Sequence, residues 1–178
     1  MIASPAHDDA EPMSAAYIGI GSNLDNPVEQ VLRARRALAE LPRTRLLDFS
    51  PLYRNPAVGP GEQPDYVNAV AAIETELNPH ALLEALLAIE AAQGRTRERL
   101  RWRPRTLDLD VLVYGERVIR DHDLTVPHPR IRERAFVLRP LADVAPELAI
   151  PGVGCVARLL AGVSETDLRR VVSPMTDT

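Results

Sequence analysis

A run of alternating apolar and acidic residues at positions 107–113 is the feature that most limits the fold this chain can adopt. Successive side chains of a β-strand point to opposite faces, so Asp108 and Asp110 would share one face. The apolar side chains would share the other face: Leu107, Leu109, Val111 and Val113. We therefore predict an edge strand over residues 106–114, with one face in the core and two carboxylates on the other.

The two carboxylates would stand roughly 7 Å apart, close enough to repel each other unless a cation lies between them. Such a pair can hold one or two Mg²⁺ ions through its oxygen atoms and share them with the phosphates of a substrate. A half-exposed strand whose aspartates merely face water is the alternative, and it is the more ordinary explanation of an isolated Asp-x-Asp pattern.

Arginine is concentrated directly before this strand. All 21 basic residues of the chain are arginine, and six of them occupy alternate positions from Arg95 to Arg105. If this run is extended, its guanidinium groups lie on a common side, where they can bind the non-bridging oxygens of a polyphosphate. A solvated basic loop is the alternative. Because the chain contains no lysine, a P-loop nucleotide site is excluded.

The remaining pattern mixes strands with helices. Strands are predicted at residues 17–20, 44–53 and 66–75, and residues 118–119 are expected to pair back on the acidic strand as a hairpin. A first helix is predicted at residues 28–40, with Asn26 as its N-cap. A second is predicted at 79–93, where Asn78 starts the helix and Gly94 ends it. Short helical pieces are predicted within 131–146. This order, without internal repeats, predicts an α+β domain with an antiparallel or mixed sheet.

Length and composition fit a single domain. The chain has 178 residues, 46% of them apolar, and its one cysteine, Cys155, cannot form an internal disulfide. We expect residues 1–14 to be a disordered leader and 15–178 the folded domain, in which 152–178 form a variable tail with one amphipathic helix. No apolar stretch suggests a membrane span or signal peptide, so a cytoplasmic protein is expected. The net charge of −4 argues against general nucleic-acid binding.

Three further segments contain residues with possible functional roles. Gly19-Ile20-Gly21 begins like a dinucleotide-binding motif, but Leu24 stands where the third glycine belongs, and a tight turn after the first strand explains the glycines. His128 has no second histidine or cysteine at ligand spacing, which disfavours zinc and leaves a structural or substrate-contacting role. The segment 55–64 is rich in proline and glycine, which predicts a long functional loop.

The chain resembles the hydroxymethyldihydropterin pyrophosphokinases of folate biosynthesis over residues 17–151. Several motifs in the same order carry the resemblance: Tyr17-Ile18-Gly19-Ile20-Gly21-Ser22-Asn23-Leu24, Ser50-Pro51-Leu52-Tyr53, Gln63-Pro64-Asp65-Tyr66-Val67-Asn68-Ala69, Ile89-Glu90, Gly94-Arg95, Arg101-Trp102-Arg103-Pro104-Arg105-Thr106-Leu107-Asp108-Leu109-Asp110, Val126-Pro127-His128-Pro129-Arg130, Arg134-Ala135-Phe136-Val137-Leu138 and Pro140-Leu141.

The resemblance implies that ATP donates its two terminal phosphates as a unit to the hydroxymethyl oxygen of 6-hydroxymethyl-7,8-dihydropterin, with release of AMP. Asp108 and Asp110 would hold two Mg²⁺ ions, and the loops at 55–65 and 95–105 would act as lids. We expect a single-domain, ferredoxin-like α/β sandwich with a mixed, mainly antiparallel sheet and three active-site loops. The implied partners are the two small-molecule substrates, with no nucleic acid or membrane, and a monomer is expected.

The resemblance also implies a role for each matching residue. The catalytic residues would be Arg95, Arg105, Asp108 and Asp110. The ATP contacts would be Glu90, Arg97, Arg101, Trp102, Val111, Thr125, His128 and Arg134. The pterin contacts would be Pro56, Val58, Gly59, Tyr66, Asn68 and Phe136. The pterin set is physically sensible, because an aromatic bicycle needs a flat apolar slot and its amide-like edge needs polar groups.

Three positions depart from the family pattern. Arg103 stands where glycine usually precedes the proline of the central motif, which affects the expected flexibility of that loop. Leu87 stands where some members have glutamine, which removes an adenosine contact. Asn55 stands where a small hydroxyl residue is common, which affects the geometry of the neighbouring loop.

Two rival functions remain open from the residues alone. A metal-dependent nucleotidyl transferase or phosphohydrolase could use the same Asp-x-Asp pair, and nucleotidyl transfer would release pyrophosphate instead of AMP. A nucleic-acid-binding module could be built on the arginine run. Such a module would bind with steep salt dependence and without Mg²⁺.

Overall fold

The computed structural model describes residues 12–94 and 106–172 of the chain. Residues 1–11, 95–105 and 173–178 lie outside this range, and with them the predictions made for most of the leader and for the arginine run. The strands of the described residues are β1 (Ser14–Ser22), β2 (Thr44–Phe49), β3 (Tyr53–Asn55), β4 (Tyr66–Thr75), β5 (Asp108–Tyr114), β6 (Ile119–Arg120), β7 (Thr125–Val126), β8 (Ala149–Ile150), β9 (Gly154–Cys155) and β10 (Arg169–Arg170). The helices are α1 (Pro27–Ala39), α2 (Pro79–Ala92), α3 (Ala135–Val144) and α4 (Val156–Ala161), with a 3-10 turn at Ile131–Glu133.

A six-stranded sheet in the order β10-β3-β4-β1-β5 forms the centre of the fold, and β2 also pairs with β4. The order of β1, α1, the β2/β3 region, β4, α2 and β5 is that of a split βαβ, ferredoxin-like fold. Every strand pair among the described residues is antiparallel. The predicted α+β class is therefore confirmed. Of the two predicted kinds of sheet, antiparallel or mixed, the described strands form the antiparallel one.

Helices cover both faces of this sheet. Alternate residues of β1 and β4, such as Ile18 and Ala71, are buried in one cluster with α1 and α2. Their neighbours Tyr17 and Val70 belong to a second cluster with α3 and α4. Period-two alternation in the central strands thus divides the core into two layers, and the second layer borders the cleft described below. None of the described helices is both long and apolar enough to cross a membrane.

The two long helices start in different ways. Asn78 caps α2 as predicted, because its side-chain oxygen accepts the Ala81 N–H at 2.9 Å, and Gly94 follows the helix with a positive φ of 87°. The predicted side-chain cap of α1 is wrong. Asn26 adopts a left-handed conformation with φ 60°, and it is its backbone carbonyl that accepts the Gln30 N–H at 3.1 Å.

A β-bulge interrupts the acidic strand. Ile18 of β1 pairs with Val111, but the next residue back, Tyr17, pairs with Val113, so Leu112 is an extra residue in β5. Leu112 and Val113 both reach the second core layer as a result. The prediction that Val113 shares a face with Leu109 and Val111 is wrong, because the bulge reverses the alternation after Leu112.

The bounds of three other strands and helices also differ from the prediction. The single strand expected over 44–53 is two strands, β2 and β3, separated at Ser50 and Pro51. The expected short helical pieces of 131–146 are a 3-10 turn followed by one ten-residue helix that contains Pro140. The segment 118–119 does not pair with β5, since Ile119 and Arg120 form a hairpin with β7.

The tail from residue 152 is part of the fold over its described length. Its strand β10 pairs with β3 at the edge of the central sheet, and the Val171 N–H donates to the Leu52 carbonyl at 2.7 Å. Val156 at the start of α4 is fully buried in the second core layer. The predicted helix of the tail is the short α4.

Tyr53 joins the sheet to α3. Its hydroxyl donates a hydrogen bond to the Asp143 carboxylate, which also accepts from Arg139 at 2.9 Å. Burial, followed by the hydrogen bond to Asp143, raises the pKa of Tyr53 from 10.0 to about 12. The folded protein therefore stabilises the neutral phenol.

The substitution Tyr53→Phe should remove this hydrogen bond while keeping the buried ring, so we expect the free energy of unfolding near pH 7 to fall by about 1 to 2 kcal/mol. Because the folded-state pKa lies above the unfolded value of 10.0, this contribution is complete below pH 10 and is lost as the pH rises towards 12. Urea unfolding of both proteins from pH 7 to 12 measures it. A difference that does not shrink above pH 10 would contradict the role given to Tyr53.

Candidate active site

Two glycines of the central strand form the floor of a cleft. Gly21 in β1 pairs with Asn68 of β4 on one side and with Asp108 of β5 on the other. One step along the strand on the same face, Gly19 pairs with Val70 and Asp110. Neighbouring strands lie about 4.8 Å apart, so the Cα atoms of Asn68 and Asp108 are roughly 10 Å apart across a glycine that has no side chain.

Close contacts explain why the floor is glycine. A Cβ atom on Gly21 would lie 2.8 Å from Oδ1 of Asn68, and one on Gly19 would lie 3.2 Å from the Leu112 side chain. The prediction of a turn at Gly21 is wrong, because Gly21, like Gly19, lies within β1. Glycines inside a strand commonly mark the close approach of a ligand or of another backbone, and that signal was available in the sequence.

The cleft brings together eight residues that the sequence analysis assigned to metal, nucleotide and pterin binding: Val58, Tyr66, Asn68, Asp108, Asp110, His128, Arg134 and Phe136. It also contains residues that were not assigned to the site: Gly19, Ile20, Gly21, Asn55, Gln63, Ala69, Val70, Leu112 and Val137. Most of this second group comes from the strand faces beside the floor. Residues 108–110 and 66–68, far apart in sequence, meet here through their common neighbour β1.

The remaining predicted residues lie elsewhere. Pro56, Gly59, Glu90, Val111 and Thr125 are described but do not line the cleft. Val111 is 4% exposed and faces the first core layer, on the side of β5 away from the aspartates. The predicted residues Arg95, Arg97, Arg101, Trp102 and Arg105 lie outside the described part of the chain.

Glu90 contacts the acidic strand from the side of α2. Its carboxylate accepts the backbone N–H of Leu109 at 2.8 Å, and the residue is only 2% exposed. Among the described strands, β5 is at the edge of the sheet. Glu90 therefore satisfies a backbone donor that lies between the two aspartates and helps to fix their strand.

The β-bulge positions His128 against the aspartates. The carbonyl of the bulged Leu112 accepts the His128 backbone N–H at 2.9 Å. In the ring, Nδ1 accepts the Arg130 N–H at 3.2 Å, so the neutral ring carries its proton on Nε2. That atom lies 4.0 Å from Oδ2 of Asp110. Burial, and then the positive charge of Arg134, lower the pKa of His128, which favours the neutral ring at pH 7.

Arg134 and Phe136 form the wall next to His128. The Arg134 guanidinium lies 5.4 Å from the centre of the Phe136 ring, which is within the range of a cation–π contact. Both residues come from the start of α3, and both line the cleft. This wall therefore combines a positive charge beside the aspartates with an aromatic ring.

The loop between β3 and β4 also contributes to the cleft. Val58 and Gln63 of this loop reach the cleft, and Asn23 holds the end of the loop by donating to the Pro64 carbonyl at 3.1 Å. Val58 is 62% exposed, so it offers an apolar surface that a bound ligand can cover. The predicted functional loop thus borders the site.

Comparison with known proteins identifies the family. The model of the 7,8-dihydro-6-hydroxymethylpterin-pyrophosphokinase family matches residues 17–146. The chain belongs to this family. It is 49% identical over 155 residues to a 2-amino-4-hydroxy-6-hydroxymethyldihydropteridine pyrophosphokinase of Pseudomonas aeruginosa, a match that covers 87% of this chain and 95% of that protein. A protein of the same name from Haemophilus influenzae is 48% identical, over 83% of this chain and 92% of that protein.

The structural comparison agrees on the fold. A Plasmodium falciparum HPPK-DHPS structure, crystallised with pterin and p-hydroxybenzoate, matches with a TM-score of 0.72 at 14% identity. The match covers 92% of this chain, which spans only 48% of the length of that one. The pyrophosphokinase identity predicted from the sequence motifs is confirmed, and so is the enzyme class.

The glycine floor of this pyrophosphokinase can be tested with Gly21→Ala. The added methyl group would displace the end of the Asn68 side chain, so we expect kcat/KM for pyrophosphoryl transfer to fall by about tenfold or more. The displaced atom belongs to a side chain and not to the backbone, and its shift costs about one hydrogen bond to Asn55, so the melting temperature should fall by only a few degrees. Gly162→Ala is the control, since a Cβ there makes an ordinary contact of 3.5 Å. Unchanged kcat/KM in Gly21→Ala would contradict the proposed floor.

Proposed function

We propose that the cleft binds ATP and 6-hydroxymethyl-7,8-dihydropterin together and transfers the β- and γ-phosphates of ATP, as a unit, to the pterin hydroxymethyl oxygen. The observation that carries this proposal is the row formed by Asn68, Gly21 and Asp108. In this row Gly21 is a flat floor, Asn68 supplies an amide at one end, and Asp108 supplies a carboxylate at the other end. A planar molecule can lie on the glycine with its polar edge at Asn68 and its reacting group at the aspartates.

The pterin slot uses aromatic and apolar contacts for affinity and polar groups for orientation. Phe136 and Tyr66 can contact the bicycle, and Asn68 can bind its amide-like edge. The loop residues Val58, Pro56 and Gly59 are proposed to complete the slot. Of these three, Val58 lines the cleft in the described structure, which supports its assignment most directly.

Asp108 and Asp110 are proposed to hold the metal ions, two in number. The residues fit Mg²⁺, because they offer carboxylate oxygens from the same face of one strand, paired with the two floor glycines. When bound there, Mg²⁺ would neutralise charge on the phosphate oxygens. Glu90 contributes by holding the Leu109 N–H between the two ligands, which keeps their spacing fixed.

His128 and Arg134 are proposed to bind the nucleotide. A neutral His128 can donate a hydrogen bond to the nucleotide from Nε2, which lies 4.0 Å from Oδ2 of Asp110, and Arg134 adds a positive charge that suits phosphate oxygens. Glu90, Val111 and Thr125 were also assigned to ATP, and their positions outside the cleft favour indirect roles. Arg95, Arg97, Arg101, Trp102 and Arg105 lie outside the described residues, and the family resemblance supports the proposal that they bind the triphosphate.

The proposed reaction exchanges one P–O bond for another and releases one proton. The hydroxymethyl oxygen attacks the β-phosphorus and loses its proton to solvent, the bond from that phosphorus to the oxygen bridging it to the α-phosphate breaks, and AMP leaves with that oxygen. No covalent intermediate with the protein is needed, because positioning and electrostatic stabilisation can supply most of the catalysis. The floor and the aspartates position the nucleophile, while the cationic groups stabilise the charge on the phosphates.

The oligomeric state, the location in the cell and the domain bounds are further properties of this protein. We propose a monomer that acts in the cytoplasm on two small molecules, with the residues before β1, which begins at Ser14, as a leader outside the catalytic domain. The net charge of −4 supports small-molecule substrates over nucleic acid.

The direct test is to incubate the protein with ATP, Mg²⁺ and 6-hydroxymethyl-7,8-dihydropterin and to identify the nucleotide product. We expect AMP together with the pterin diphosphate. Asp108→Asn and Asp110→Asn should each lower kcat by about 100-fold or more, because each removes a charged metal ligand. Glu116→Gln, an exposed carboxylate just after β5, is the matched control and should keep full activity.

Other products would support other functions. Pyrophosphate as the product would indicate nucleotidyl transfer, and ADP would indicate transfer of a single phosphate. Full activity in both aspartate variants would contradict the proposed metal site. Binding of nucleic acid with a steep salt dependence and without Mg²⁺ would favour the rival built on the arginine run.

A further inference from the structure

Two asparagines lie side by side at the end of the cleft away from the aspartates. Asn55 of β3 is opposite Tyr66 of β4, and Tyr53 is opposite Asn68, so Asn55 and Asn68 are diagonal neighbours on one face. Each is 8% exposed, and each lines the cleft. In sites this enclosed, the orientation of an amide group decides which ligand atoms it can bind.

A chain of hydrogen bonds fixes both amides. Nδ2 of Asn55 donates to the backbone carbonyl of Pro56 at 3.1 Å, which leaves Oδ1 of Asn55 facing Asn68. Nδ2 of Asn68 then donates to that oxygen at 2.6 Å. A reversed Asn68 amide would place two acceptors at this short distance and lose the hydrogen bond, so the Pro56 carbonyl sets the orientation of Asn68 through Asn55.

The consequence is a hydrogen-bond acceptor directed at the floor. Oδ1 of Asn68 points towards Gly21, where it lies 2.8 Å from the position that a Cβ would occupy. No donor from the described residues forms a hydrogen bond with this oxygen. A ligand lying on Gly21 therefore meets a fixed acceptor at this end of the slot.

We propose that Asn55 is a specificity-determining positioning residue, which holds the Asn68 amide so that the cleft accepts a ligand with an N–H donor at this edge and rejects one with a carbonyl. This inference rests on the proposed function. It predicts that the 2-amino group of a pterin is recognised here by Oδ1 of Asn68. Asn55, with its Nδ2 engaged by Pro56, can only accept.

The test compares two ligands that differ at this edge. They are 6-hydroxymethyl-7,8-dihydropterin and its 2-oxo analogue, in which a carbonyl replaces the 2-amino group. Dissociation constants are measured by calorimetry with Mg²⁺ and α,β-methylene-ATP present. We expect the wild type to prefer the 2-amino compound by at least about tenfold, because the analogue places an acceptor against Oδ1 of Asn68.

Removal of the acceptor at position 55 should abolish this preference. In Asn55→Ala the Asn68 amide is released and can turn to suit either ligand, so we expect the ratio of the two dissociation constants to fall to within about threefold. Asn55→Asp keeps an acceptor for Nδ2 of Asn68 and should keep the preference. Asn55→Leu, closer in size to asparagine, repeats the test if Asn55→Ala does not fold. The affinity for α,β-methylene-ATP is the internal reference and should stay unchanged.

The outcomes separate this inference from the proposed function. A wild type that binds neither compound overturns both. A wild type that makes AMP and the pterin diphosphate but keeps the same ligand preference in Asn55→Ala or Asn55→Leu overturns only the role of Asn55. Loss of the preference in the Ala or Leu variant, with retention in Asn55→Asp, supports it.

Discussion

The absence of side chains at two positions of the central strand is the constraint on which the site depends. Gly19 and Gly21 lie between β4 and β5, so a ligand can rest on the backbone of the sheet itself. Strand pairing then determines which groups face the ligand. Asn68 and Asp108 are far apart in the sequence, yet they are held in register with the same glycine. A larger residue at Gly21 would occupy the space that joins the two ends of the slot.

The spacing of Asp108 and Asp110 is fixed only if β5 is held in place, and three contacts hold this strand. Pairing with β1 fixes one side of β5, and Glu90 satisfies the Leu109 N–H from α2. The bulge at Leu112 then directs a backbone carbonyl to His128, which places the imidazole near Asp110. The same irregularity that breaks the strand pattern therefore connects the face of β5 that carries Asp108 and Asp110 to His128.

Much of this arrangement could be predicted because it follows from simple periodicity. Alternation placed Asp108 and Asp110 on one face, and the strand 66–75 and the helix begun by Asn78 have the predicted bounds within a residue or two. Glycine is so common in turns that the sequence predicts a turn at Gly21, and only the register with β4 and β5 reveals the role of Gly19 and Gly21. The bulge at Leu112 could not be predicted, since no residue in 107–113 signals it. The link from Asn55 to Asn68 depends on a diagonal pairing that sequence spacing does not contain.

The most direct test of the account is a crystal structure of the protein with Mg²⁺, α,β-methylene-ATP and 6-hydroxymethylpterin. The account predicts a pterin ring lying over Gly19 and Gly21, with its amino-bearing edge at Asn68 and its hydroxymethyl group beside metal ions bound by Asp108 and Asp110. A pterin bound away from the glycine floor, or metal ions held by neither aspartate, would contradict it.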